Sequence, residues 1–271
     1  MWRWQRASFS TRSVVALETY WIVVAGVFGA LLGSFLNVCI LRLPENQSIV
    51  RPRSQCPQCK KLIAWYDNLP VVSWLLLRGR CRGCGKRISV QYPLIEALVA
   101  AIWALSVWYY GPSWTAATAG VFGTILLGIG VTDARTYIIP DEFTVGGLVF
   151  GLALSLVGGV EGLLAALTGA AVGFGILLFV AWAGEKAFGK EAMGGGDIKM
   201  MAMVGAFVGW KGVLLTIFGG ALLGTLIFVP LSFGKKRLVP FGVFLAAAAA
   251  ITFVVGDDLI NWYLSWVWGT R

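Results

Sequence analysis

The chain has 271 residues, of which 58% are hydrophobic and 13% charged, with a net charge of +9 and no histidine. Soluble domains run at about 45–50% apolar and about 25% charged, so this composition excludes a water-soluble globule and implies an all-α polytopic membrane protein. The lack of histidine excludes Ser-His-Asp and Cys-His catalysis, His-ligated zinc proteases and His proton relays.

Acid–base chemistry is left to Asp, Glu, Lys, Tyr or Cys. The basic excess reads as the positive-inside bias of a membrane protein. No basic run is interleaved with aromatics as a nucleic-acid groove would need, so no nucleic-acid partner is expected.

Arg3, Arg6 and Arg12 precede an apolar stretch from about Val14 to Leu43, interrupted only by Glu18 and Arg42. That is too long for a signal-peptide core and no A-x-A site follows it, so it reads as a retained first transmembrane helix. Residues 44–93 carry nine Lys and Arg and four of the five cysteines, and read as a soluble insert. Apolar stretches then recur near 94–110, 114–132, 143–158, 162–183, 198–210, 212–233 and 238–256, which with the first gives about eight helices. Residues 257–268 read as an interfacial aromatic segment, and no internal repeat is evident. The domain reading is therefore a first helix (1–43), a tetracysteine insert (44–93) and a helical bundle (94–271). Placing the insert in the cytoplasm puts most Lys and Arg on that side, with the three N-terminal arginines against it.

The insert contains Cys56-Pro57-Gln58-Cys59 and Cys81-Arg82-Gly83-Cys84-Gly85. Two C-x-x-C turns present four thiolates, enough to close a tetrahedral zinc site, although the gap between the pairs slightly exceeds the usual spacing of roughly 15–20 residues. Redox-active thiols and a metal-free insert are the alternatives. The odd cysteine count argues against a disulfide framework, and four Cys ligands leave no open position for catalysis by the metal. An insert this polar has little core, so metal binding would supply much of its folding free energy. Gly83 and Gly85 suit tight knuckles with positive φ. Cys39, in the middle of the first helix, reads as a small packing residue.

Asp133 ends the third predicted helix and Asp197 opens the sixth, behind Gly194-Gly195-Gly196 and ahead of Lys199. Both fall on the face assigned to the cytoplasm. An ionisable group at membrane depth is costly unless it faces a cavity or a partner. Two carboxylates brought together share one proton, so one can take a proton from water while the other donates to the carbonyl oxygen and then to the leaving amine. This chemistry needs no histidine. The glycine run lets the backbone turn sharply and lets a substrate strand approach. The alternatives are an N-cap role for Asp197 and an interfacial helix end for Asp133. Asp141 and Glu142 read as a cap on the next helix, Glu96 as a first-turn carboxylate favoured by the macrodipole, and Glu18 and Glu161 as solvated. Asn37 and Ser34 either bond between helices or line the site.

The ordered set Gly33-Ser34-Phe35-Leu36-Asn37-Val38, Leu43-Pro44, Pro52-Arg53-Ser54, Trp65-Tyr66-Asp67-Asn68-Leu69-Pro70, Leu77-Arg78-Gly79, both Cys pairs and Tyr92-Pro93-Leu94-Ile95-Glu96 fills the first half of the chain. Asp133 through Ile139-Pro140-Asp141, Gly194-Gly195-Gly196-Asp197-Ile198-Lys199 and Val239-Pro240-Phe241-Gly242 follow in the second. Together they resemble the type IV prepilin peptidases, bifunctional leader peptidases and N-methyltransferases.

The resemblance implies an eight-helix aspartyl protease of the G-x-G-D type in the cytoplasmic (inner) membrane, with Asp133 and Asp197 as the catalytic pair. It implies prepilin and pseudopilin substrates cut after a Gly at the cytoplasmic face. It further implies methylation of the new N-terminus from S-adenosylmethionine, and zinc bound by Cys56, Cys59, Cys81 and Cys84. No glycine-rich strand–turn–helix marks the methyl-donor site. One departure is Val243, where many members have Pro, and only a packing difference is expected from it.

Two further readings compete on the residues alone. One is a transporter using the carboxylates as a proton or cation relay. The other is an assembly protein whose insert docks a partner while the bundle serves as an anchor.

Overall fold

The computed structural model describes residues 11–190, 193–231 and 240–269. Arg3, Arg6, the Lys235-Lys236-Arg237 cluster, Val239 and Arg271, all used in the sequence reading, lie outside the described residues. The helices are α1 (Thr11–Arg42), α2 (Val72–Leu76), α3 (Gln91–Tyr110), α4 (Trp114–Thr136), α5 (Asp141–Ser155), α6 (Gly159–Phe188), α7 (Gly195–Leu231) and α8 (Phe241–Trp268), and no strand occurs among the described residues.

Six stretches are long and apolar enough to cross a membrane: Leu17–Glu45, Gln91–Tyr110, Trp114–Thr136, Asp141–Phe188, Gly195–Ile227 and Phe241–Val267. The sequence reading of about eight divides the fourth and fifth of these. Backbone breaks do fall there, at Gly159 (φ 68°) between α5 and α6 and at Gly209 (φ 68°, ψ 176°) inside α7. Only glycine adopts such a conformation without strain. The separate aromatic segment expected at 257–268 is instead the end of α8. Nothing after Gly256 breaks the helix, since an isolated glycine costs only about 1 kcal/mol.

The chain divides into two compact units. The first runs to Asn37 and includes Pro52–Gly120. Within it α1 and α3 pack backbone to backbone. A Cβ on Gly33 would lie 2.7 Å from the Glu96 Cα, so the helices can approach this closely only over a bare glycine. Asn37 Nδ2 donates across the same contact to the Tyr92 carbonyl (3.1 Å) and within α1 to the Gly33 carbonyl (3.3 Å). Of the two readings open for Asn37, the bond to Tyr92 is the interhelical one.

The second unit comprises Val38–Arg51 and Val121–Arg271. Its centre is the first half of α7, where Met200, Met201, Met203 and Val204 are fully buried. Gly205 of α7 meets Gly169 of α6 backbone to backbone, leaving no room for a side chain on either. Phe122 of α4 stacks on Phe207 of α7 with centroids 4.4 Å apart and lies tilted against Phe253 of α8. Burying the α7 start among α4, α5, α6 and α8 fixes where its first-turn side chains emerge.

Candidate active site and metal centre

In the second unit, Asp133 occupies the last turn of α4 and is 5% exposed. The helix ends three residues later, where Tyr137 adopts φ 56° and its N–H returns to the Asp133 carbonyl. The Asp133 carboxylate faces the start of α8. Its Oδ2 accepts the Val243 N–H at 3.1 Å, with the Gly242 amide beside it. A helix N-terminus favours an anion in this position, because its first amides lack intrahelical acceptors. Gly242 must be bare: a Cβ there would lie 2.9 Å from Asp133 Oδ2 and 2.8 Å from Ile139 Cδ1. The expectation that Val243 differs from Pro only in packing is therefore corrected, since Pro would remove the N–H that Asp133 uses.

Asp197 sits in the first turn of α7, and its own N–H bonds the Gly194 carbonyl at 3.1 Å. It does not cap the helix, which begins at Gly195. Its Oδ1 is buried and has no hydrogen-bond partner. Asp133 acts electrostatically on Asp197, so the fold brings together two carboxylates that are remote in sequence. Of the glycines before it, Gly196 backs onto Ile139, where a Cβ would lie at 3.0 Å, whereas a Cβ on Gly195 would meet nothing within 4 Å. Lys199 turns away to Asp141, which it contacts at 2.7 and 2.8 Å in a half-exposed pair. Asp141 thus joins α5 to α7, and the N-cap of α5 is Pro140 without a side-chain cap bond.

The sequence reading placed Glu96 in the first turn as a carboxylate favoured by the macrodipole, and missed its burial. Because α3 starts at Gln91, with Pro93 tolerated in the first turn, Glu96 falls in the second turn and is 8% exposed. Its Oε2 accepts the Val71 N–H at 2.7 Å. A short apolar run ending in Trp74-Leu75-Leu76-Leu77 just upstream was the only sequence signal that chain would fold back over this helix.

The four cysteines of the insert meet as expected, with all Sγ atoms within 4.8 Å of one another. Each pair is held by the same backbone pattern. Cys56 N–H bonds the Lys61 carbonyl and Lys60 N–H returns to Cys56, just as Cys81 bonds Lys86 and Gly85 returns to Cys81. The bridges Gln55–Leu62 and Arg80–Arg87 close the two loops. The insert thus repeats one knuckle, which the sequence reading did not recognise as a repeat. The residue four beyond the first cysteine takes positive φ in both: Gly85 at 67° and Lys60 at 58°. Gly83 does not; its N–H points at Cys81 Sγ (3.4 Å) instead.

Backbone N–H groups, above all that of Cys59, bring the Cys56 thiol down to about 7. Cys84 is pushed up to about 11: the Lys86 N–H lowers it, but desolvation and the three other thiols outweigh that. Four thiols so placed give up their protons most readily to a cation. A tetrahedral ion with metal–sulfur bonds of about 2.3 Å would set the sulfurs roughly 3.8 Å apart, and Cys56 and Cys84 already stand at 3.9 Å. The donor set fits a closed structural metal site. Arg82, between the second pair, grips Asp67 through two nitrogens (2.7 and 2.8 Å) and holds its carboxyl below the usual carboxylate range. Cys39 is buried and free, in keeping with a packing role.

Two family profiles match the chain: the bacterial peptidase A24 N-terminal domain over residues 27–110 and the type IV leader peptidase family over residues 120–229. A protein of Myxococcus xanthus named prepilin leader peptidase/N-methyltransferase is 40% identical over 79% of this chain, and the chain covers 64% of that relative's length, just under two thirds. Proteins of the same name from Aeromonas salmonicida and Neisseria gonorrhoeae are 34% and 33% identical, over 88% and 92% of this chain and 92% and 96% of theirs. No solved structure matches the chain. With membrane-capable helices, a four-cysteine cluster and these relatives in register along most of its length, the chain belongs to the type IV leader peptidase family.

Proposed function

We propose that this chain is a prepilin leader peptidase and N-methyltransferase that cleaves prepilins and pseudopilins with Asp133 and Asp197. The observation that carries the reading is the convergence of these two carboxylates from α4 and α7. The pair shares one proton. Its ionised member takes a proton from water as the oxygen attacks the scissile carbonyl. Its protonated member donates to the developing oxyanion. When the C–N bond breaks, the proton gained from water passes to the leaving amine. The unpartnered Oδ1 of Asp197 is the oxygen left free for this traffic, while the α8 amides hold Asp133 in place. Gly195, beside which a substrate strand meets no side chain, leaves the approach open.

The active site belongs at the cytoplasmic face of the inner membrane, where a basic leader meets acidic groups. Cys56, Cys59, Cys81 and Cys84 hold zinc, which closes the insert's fold. S-adenosylmethionine supplies the methyl group for the new N-terminal amine. The relatives' names carry that activity, and no glycine-rich strand–turn–helix among the described residues marks a cradle for the donor. On this reading the domains are a first-helix region (1–43, with α1 at Thr11–Arg42), a metal insert (44–93) and a peptidase bundle (94–271).

Purified protein incubated with a prepilin, with and without S-adenosylmethionine, tests the proposal by mass spectrometry. The expected products are the free leader and a mature pilin that gains one methyl mass only when the donor is present. Intact prepilin in both reactions overturns the reading.

A further inference from the structure

In the segment Trp65–Leu76 of the first unit, the polar groups of Ser73 and Trp74 turn inward while large apolar side chains face outward. The Ser73 hydroxyl donates to the Tyr66 carbonyl (2.9 Å) and accepts the Leu69 N–H (3.0 Å), and Trp74 Nε1 donates to the Ile88 carbonyl (3.3 Å). By contrast Trp65 and Leu76 are 75% and 79% exposed, with Val72 and Leu75 exposed beside them. A water-facing loop shows the opposite arrangement.

The segment also has a fixed depth. Val71, at φ 60°, donates its N–H to Glu96, one and a half turns into α3. The 20 residues of α3 span about 30 Å at 1.5 Å per residue, the thickness of the hydrocarbon core, so its start lies at the headgroup boundary. A backbone amide bonded to Glu96 therefore lies within about 8 Å of that boundary.

The charge that follows has one sign. Between Val72 and Ile95 there is no Asp or Glu, while Arg78, Arg80, Arg82, Lys86 and Arg87 are all present. Arg82 is engaged by Asp67, and Arg78, Arg80 and Arg87 are exposed. Apolar side chains at the boundary followed by exposed arginines match the two layers of an anionic lipid surface.

We propose that Trp65–Leu76 is an interfacial foot: Trp65, Val72, Leu75 and Leu76 enter the boundary between headgroups and acyl chains, and Arg78, Arg80 and Arg87 bind anionic phospholipid headgroups. On this proposal the insert, read from the sequence as soluble, rests one segment on the membrane surface. It does not depend on the peptidase chemistry, so either reading can fail without the other.

The test places p-benzoylphenylalanine at position 76 of the full chain in nanodiscs of phosphatidylcholine, with and without phosphatidylglycerol, and reads lipid adducts by mass spectrometry after irradiation. Position 62, also exposed but on the first knuckle, is the reference. The exposed position spares the fold. Position 76 is expected to give about tenfold more lipid adduct than position 62. Phosphatidylglycerol should raise that yield several-fold in a manner lost with R78Q/R80Q/R87Q. Equal lipid labelling at the two positions, or adducts at 76 formed only with protein, overturns the foot. Labelling at 76 that is indifferent to phosphatidylglycerol overturns the headgroup role of the arginines.

Discussion

The cysteine insert and the carboxylate pair assemble their functional atoms in opposite ways. Each half of the insert is local. Two cysteines, a carbonyl five residues after the first and a positive-φ residue four after it make a knuckle from backbone hydrogen bonds alone, and the chain does this twice. The carboxylate pair has no local definition. Asp133 and Asp197 stand at opposite ends of two helices, and their meeting depends on the burial of α7, on Ile139 behind Gly196 and on the bare Gly242 at the head of α8. A metal centre of the first kind survives wide variation in its surroundings, whereas a site of the second kind is only as accurate as the helix packing around it.

The largest effect should come from breaking the pair itself. Asp133→Asn or Asp197→Asn keeps size and shape but removes the group proposed to take or give the proton. General acid–base groups contribute about 10²–10⁴ in rate, so leader cleavage should fall by about 10³-fold or more while the protein remains inserted and helical by circular dichroism. Near-normal cleavage by either variant would show that proximity of the two carboxylates is structural only.

The insert should fail differently. Cys56→Ser removes one of four clustered sulfurs, and a closed site with three strong ligands holds metal far less tightly. One metal ion per chain, measured by mass spectrometry of metals, should drop toward none. Trypsin should then cut within 52–90, where Lys and Arg are abundant. Unchanged metal content and protease resistance would mean that the thiol cluster is not the metal site.

The same contrast explains what could be read from the sequence. The apolar stretches, the C-x-x-C pairs and the two aspartates as candidates were legible, because apolar length, spacing and an ionisable group at membrane depth are local signals. The break at Gly209 was read as a division between two helices, 198–210 and 212–233, rather than as a kink within α7. The fate of Glu96 was not, since it follows from Val71 folding back over α3. The Asp141–Lys199 pair was equally hidden, because it depends on how α5 sits against α7. Position 243 is the clearest case: a side-chain comparison of Val with Pro gives packing, and only the fold reveals that the backbone amide is the group in use.

If packing sets the accuracy of the carboxylate pair, small changes at the head of α8 should lower activity without touching either aspartate. Gly242→Ala puts a methyl group 2.9 Å from Asp133 Oδ2. Something must yield, and the carboxylate is held by less than the backbone is. A displacement approaching 1 Å at a catalytic group costs about 10²-fold. Cleavage should fall by roughly 10–100-fold, mostly in kcat, and wild-type kcat in Gly242→Ala would place the Asp133 carboxylate elsewhere in the working enzyme.

Val243→Pro is the finest cut, because it deletes one hydrogen and little else. The residue lies in the first turn of α8, where Pro is tolerated, and Gly242 before it adapts easily to a following Pro. The amide is shared, reaching Asp133 at 3.1 Å and the Pro240 carbonyl at 3.3 Å. The neighbouring Gly242 amide remains in either variant. A hydrogen bond to a charged group contributes about 1.5–3 kcal/mol when unshared, so a shared one with a surviving neighbour should cost only a several-fold loss in kcat, with KM unchanged. Val243→Ala keeps the N–H and trims the side chain, so it should behave as wild type. The reverse ranking, with Ala impaired and Pro normal, would return position 243 to the packing role that the sequence alone suggests, and would leave Asp133 positioned by the Gly242 amide and Ile139 rather than by two donors.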